Sequence, residues 1–119
     1  VTPISVATNT AGRPIPAGRE PGAMAITPDG KTLYVADVGS DTVTPISVAT
    51  NTAGPRITVG PAPDEIVITP DGKRAYVLCV GSGGRQQNGT VLLIATATDT
   101  ARRVATIAGA TFGQMVLAP

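Results

Sequence analysis

The first twelve residues, VTPISVATNTAG, return unchanged at 43–54. Self-similarity at a fixed spacing marks a repeat architecture, in which each unit is too small to bury its own apolar face and stacks on the next. Three registers begin at Val1, Val43 and Val91. In the first two, TPDGKTLYVADVGSDT (27–42) answers to TPDGKRAYVLCVGSGGRQQNGT (69–90), the second carrying six more residues. The third opens as VLLIATATDT, a looser match, and stops at MVLAP before the next TPDG.

Within one period, four short runs of β-like composition alternate with turn chemistry: AMAIT (23–27), TLYVA (32–36), TVTPISV (42–48) and PRITV (55–59). Pro28-Asp29-Gly30 is a turn by mechanism. Pro presets φ, Asp bonds the backbone ahead of it, and Gly takes positive φ without a Cβ penalty. No apolar pattern of helical period lasts ten residues. Four strands per period of about forty residues predict an all-β chain of β-propeller blades, each of four antiparallel strands. Runs apolar on both faces, such as Leu33-Tyr34-Val35, suit a blade packed between two neighbours. With strands lettered A to D outward from the axis, the chain reads C-D, A-B-C-D, A-B-C-D, A. That places eleven strands, about three blades of a larger ring, near 1–7, 13–18, 22–28, 31–37, 42–49, 55–59, 64–70, 73–80, 89–96, 102–108 and 112–118. A single propeller needs four to eight blades, so 1–119 is expected to be a partial propeller. Its partners would be the remaining blades of the same protein or further copies of itself.

LYVAD (33–37) and AYVLC (75–79), each after TPDGK and followed by a turn and VTPISVATNT-like residues, resemble the bacterial and archaeal YVTN-type β-propeller repeat. YVAD and YVLC stand where that family has YVTN, and the third register lacks its YV strand. The resemblance covers essentially the whole chain. It implies a prokaryotic, extracytoplasmic or surface-layer-like protein, and it extends to relatives of several periplasmic enzymes.

Composition narrows the function classes. Charged residues make up 14% of the chain, the net charge is +1, and the aromatic residues are Tyr34, Tyr76 and Phe112. A nucleic-acid binder needs a basic face and stacking aromatics, so none is expected. No apolar run approaches a membrane span. Cys79, alone in an apolar run, forms no internal disulfide and reads as a core residue. Histidine is absent, which removes imidazole-based metal, haem and nucleophile systems from these residues. No cofactor, metal or catalytic residue is therefore assigned.

Asp29 and Asp71 recur in register, as do Asn9, Asn51 and Asp99, and turn formation accounts for both sets. Positions that break the repeat are more informative. The D–A loops read GREPGA (18–23), GPAPDE (60–65) and GATFGQ (109–114), so Ala23, Glu65 and Gln114 are equivalent, at the start of innermost strands. The insert GSGGRQQNGT (81–90) lies in a B–C loop, which emerges on the same face as the D–A loops. Glu65, Gln114, Asp64, Glu20, Arg85 and Gln86 are thus the candidate ligand-binding residues at the axial mouth. The expected function is a non-catalytic binding or interaction module for a protein or small molecule. The rival is part of a propeller enzyme, lyase, lactonase or quinoprotein-like, whose site collects residues around the axis. A sensor ectodomain is a third reading.

Overall fold

In each complete blade the two innermost strands are joined by a Pro-Asp-Gly turn whose side chains hold it closed. The computed structural model describes residues 1–81, 88–107 and 116–118, and in it Gly30 and Gly72 take φ of 72° and 71°. Asp29 Oδ1 accepts hydrogen bonds from Thr27 Oγ1 at 2.6 Å and from the Lys31 amide at 3.0 Å. Asp71 repeats both bonds with Thr69 and Lys73 at the same distances. The threonine hydroxyl first, and the lysine amide second, hold both carboxyls below the usual carboxylate range. A carboxylate whose pKa is lower folded than unfolded adds stability above its unfolded value, near 3.8, and loses it as pH falls through the folded value. The variant carrying both Asp29→Asn and Asp71→Asn should therefore unfold at lower urea than wild type at pH 7. The gap should narrow as the pH falls below the unfolded value, near 3.8, and through the lower folded one. A gap unchanged by pH would mean that the carboxylate charge is irrelevant to the turns.

Eleven strands follow in chain order: β1 (Ile4–Ser5), β2 (Thr10–Ala11), β3 (Pro21–Ile26), β4 (Thr32–Asp37), β5 (Thr42–Ser47), β6 (Thr52–Ala53), β7 (Ile57–Thr58), β8 (Pro63–Ile68), β9 (Arg74–Cys79), β10 (Gly89–Ala95) and β11 (Thr100–Ile107). They form a β1-β2 hairpin, a first blade β3-β4-β5 with β6 and β7 both on β5, and a second blade β8-β9-β10-β11, antiparallel throughout. No helix occurs among the described residues, so none is long and apolar enough to cross a membrane.

Two expected strands take a different form. The fourth strand of the first blade, expected at 55–59, is divided into β6 and β7. The register changes by one residue between Ile46↔Ala53 and Val43↔Ile57. Pro55 has no N–H to donate, and the chain bulges there. The second blade shifts at the equivalent place, between Val91 and Leu92, without breaking β11. In the hairpin the strand expected at 13–18 is represented by Thr10–Ala11, with backbone bonds continuing at Gly12 to Pro3 and Ile15 to Val1. The strand expected at 112–118 falls largely outside the described residues.

The core lies between blades. Tyr34, Ala36, Val43 and Ile57 of the first blade pack against Ile66, Ala75, Val77, Cys79, Leu92 and Ile94 of the second. The alternate residues of the first blade, Val35 and Ile46, pack with Ile15 and Val1 of the hairpin. Period-2 alternation therefore serves two neighbours, because each blade is a buried layer. Burial pushes the Cys79 thiol up to about 11, so it stays protonated and inert near neutrality. At the outer turns, Asn9, Asn51 and Asp99 have φ of 53°, 52° and 52°. Asn and Asp tolerate that left-handed conformation, which explains why the three recur.

Candidate functional site

Among the described residues, the D–A loops around 18–20 and 60–62 meet the ends of β4 and β9 at one end of the blades, and there backbone hydrogen bonds tie each D–A loop to its own blade. Val38 and Gly39 amides donate to the carbonyls of Glu20 and Arg19 at 3.1 and 3.0 Å, and Val80 and Gly81 repeat this with Ala62 and Pro61. The crossing requires left-handed residues, Glu20 at φ 51° and Ala62 at φ 54°. Nothing in either residue type signals it, and the sequence reading missed it. Asp41, also left-handed, accepts the Ala62 amide at its Oδ1 at 3.0 Å. Arg19 Nη2 donates to the Gly39 carbonyl at 3.0 Å, and Arg56 Nη2 to the Ala17 carbonyl at 2.8 Å. This end of the molecule is a fixed platform rather than a set of independent loops.

The platform positions the candidate residues as follows. Glu20 and Asp64 are exposed, two residues out of register with each other on successive D–A loops. Glu65 follows a register shift between Pro63 and Glu65, pairs with Leu78 and is half-buried. Its repeat partner Ala23 packs against the core between the blades. Glu65 therefore leaves β8 on the sheet face that a following blade would cover, at the loop end of the innermost strand. Arg85, Gln86 and Gln114 lie outside the described residues.

Beneath the platform, Asp37 is fully buried. Its Oδ2 accepts hydrogen bonds from Thr42 Oγ1 at 3.0 Å and Thr44 Oγ1 at 2.6 Å, while Oδ1 has no partner among the described residues. Gly18 of the D–A loop lies directly over this side chain. The second blade places Cys79, Thr90 and Leu92 at the corresponding positions, under Gly60. At the opposite end, a cleft of about 280 Å³ between the blades is lined by Thr27, Asp29, Tyr34, Asp71 and Thr96. Its two carboxylates are those already committed to their turns. Among the described residues no group of three or more acidic, Cys or His side chains is placed to hold a metal ion.

No family model and no curated protein sequence matches the chain. Among solved structures, hydrazine synthase of Kuenenia stuttgartiensis aligns over 94% of this chain at 32% identity, with a TM-score of 0.77. A functionally unknown protein of Desulfotomaculum acetoxidans aligns over 75% at 23% identity and TM-score 0.57. A 6-phosphogluconolactonase-like protein of Bacteroides uniformis aligns over 89% at 17% identity and TM-score 0.58. The chain spans 30%, 27% and 35% of these three chains in turn. The last two likenesses concern the fold alone. Together with the all-β blade topology, they place the chain as partial blades of a β-propeller.

Proposed function

We propose that the chain is a segment of a YVTN-type propeller that acts as a binding module, presenting the D–A and B–C loop end to a protein or small-molecule ligand. One observation carries this reading. The two backbone bonds from Val38 and Gly39 at that end recur from Val80 and Gly81 in the second blade, whereas Ala23 and Glu65, or Gly22 and Asp64, differ completely. Binding specificity resides in variable polar groups on an invariant frame. Glu65, Asp64 and Glu20, with Arg85, Gln86 and Gln114 from the loops nearby in sequence, are the proposed contacts. Extracytoplasmic or cell-surface placement belongs to the same proposal and rests on the repeat resemblance.

A second reading, part of an enzyme, is favoured by the 32% identity to a protein named hydrazine synthase. These residues would then form one wall of a ring whose chemistry lies elsewhere. The two readings separate in an amide-resolved NMR titration of the chain against mixtures of small acids, amines, sugars and peptides. The binding reading expects shifts at 18–22, 60–66 and 80–90 that Glu65→Gln weakens. Shifts confined to the turns at 28–31 and 70–73, or none at all, would remove it.

A further inference from the structure

The outer edge of the second blade departs from the repeat in a way that the blade fold does not require. In the first blade the outermost strand is interrupted at Gly54-Pro55 and left as two pieces, β6 and β7. In the hairpin, Pro14 and Pro16 follow β2. Proline blunts a sheet edge because it withholds an N–H from any incoming strand. β11, the longest strand among the described residues, has neither Gly nor Pro across Thr100–Ile107. Arg102-Arg103 stand where the first blade has Gly54-Pro55. Among the described residues β11 pairs on one side alone, with β10.

The register determines which groups this edge offers. In the first blade the Gly54 amide donates inward to the Pro45 carbonyl at 2.7 Å. Arg102 pairs with Leu93, the equivalent of Pro45, so the N–H and C=O of Ala101 and Arg103 point away from the sheet. Pro55 removes one of those outward donors from the first blade, and Arg103 restores it in the second. Pairing is regular from Ala95↔Thr100 to Leu92↔Arg103, and the shift comes only beyond it. Successive side chains alternate between faces, so the two arginines flank the edge on opposite sides. Both are exposed, and neither guanidinium has a hydrogen bond or ion pair among the described residues. A further blade would not change this. Gly54 and Pro55 are exposed at the equivalent positions, although the first blade has the second on one face and the hairpin on the other. Blades stack face to face, and the rim stays open.

We propose that the edge at 100–103 receives an extended acidic segment of a partner polypeptide, which adds to the blade as a fifth strand. Main-chain bonds to Ala101 and Arg103 supply the affinity, and the two arginines supply the specificity. Because the arginines lie on opposite faces, the segment needs two adjacent acidic residues, one for each guanidinium. A second copy of β11 is the wrong occupant. Antiparallel pairing through this stretch would set arginine against arginine, and like charges directly opposite destabilise a sheet. The edge is closed to itself and open to an acidic strand. This surface lies on the rim of the blade and is independent of the binding reading of the loop end.

Amide-resolved NMR of the full 119-residue chain, titrated with short capped peptides, tests this. The probe carries two adjacent glutamates flanked by valine and threonine, and the control carries lysines in their place. The glutamate peptide should shift the amides of 100–103 and slow the hydrogen exchange of Ala101 and Arg103. The lysine peptide should bind about tenfold more weakly, since both cross-strand pairs turn from attractive to repulsive. Arg102→Glu/Arg103→Glu should reverse that preference, which a merely structural role for the arginines would not do. Arg103→Pro, which reproduces the first blade, should weaken the glutamate peptide about tenfold by removing an outward donor. The charge reversal keeps the test decisive even where the proline variant fails to fold. No shift at 100–103 with about 1 mM glutamate peptide, where a contact of millimolar Kd is half-formed, overturns the proposal. Equal binding of the two peptides overturns it too. So do concentration-dependent shifts at 100–107 without peptide, which would give the edge to a second copy. These readouts lie outside 18–22, 60–66 and 80–90, so failure here is separable from failure of the loop-end reading.

Discussion

Gly18→Ala should lose about 3 kcal/mol of stability, the upper end of ordinary overpacking costs. A Cβ at Gly18 would stand 2.6 Å from both Cβ and Cγ of Asp37 and 2.7 Å from its Oδ2. None of those atoms has room to yield, since Asp37 is fully buried and tied to Thr42 and Thr44. The D–A loop would have to lift, which would strain the backbone bonds from Val38 and Gly39 to Glu20 and Arg19. Against a total stability of roughly 5–15 kcal/mol for a domain, that is a large share. Gly22→Ala, four residues on, would meet only Val38 Cγ2 at 3.6 Å and should stay within about 0.5 kcal/mol of wild type. Urea denaturation of both variants makes the comparison. Asp37→Gly removes all three obstructing atoms, so in combination with Gly18→Ala the two losses should sum to less than their separate values. Strict additivity would place the cost of Gly18→Ala somewhere other than Asp37.

The strand order and the blade period were readable because they depend on local chemistry. Pro-Asp-Gly forces a reversal wherever it occurs, and Gly30 and Gly72 adopt the positive φ that this turn requires. Asn9, Asn51 and Asp99 were readable as turn residues for the same reason. Less was legible wherever a residue's role depends on a partner far along the chain. Asp99 is both a turn residue and the acceptor for Tyr34, and across a separation of 65 positions nothing signals the pairing. Asp37 resembles any polar residue ending a strand until the fold lowers Gly18 onto it. The candidate site lies between these cases. Its loops were identified from breaks in the repeat, but the face from which Glu65 projects depends on the register shift after Pro63. A one-residue shift reverses every side chain beyond it, and nothing in GPAPDE marks the point where it occurs.

Thr44→Val should cost about 2–3 kcal/mol, more than its small change in shape suggests. Thr44 and Thr42 are the donors that Asp37 has, and the Thr44 bond, at 2.6 Å, is the shorter. Oδ1 already lacks a partner, so removing the hydroxyl leaves a fully buried carboxyl with a single donor. Losing one partner of a buried polar group costs about 1–3 kcal/mol, and more where the group carries charge. The second blade indicates how the loss is repaired, since Cys79 and Leu92 fill the equivalent positions without a carboxyl. Adding Asp37→Cys to Thr44→Val should therefore recover most of the stability lost in the single variant. Asp37→Asn alone should stay within about 1 kcal/mol of wild type, because its amide oxygen still accepts both hydroxyls while its Nδ2 takes the unpartnered place of Oδ1. Equal losses in Thr44→Val and in the Asp37→Cys/Thr44→Val double variant, measured by urea denaturation, would mean that Asp37 and Thr44 are not coupled and that the threonine contributes by packing alone.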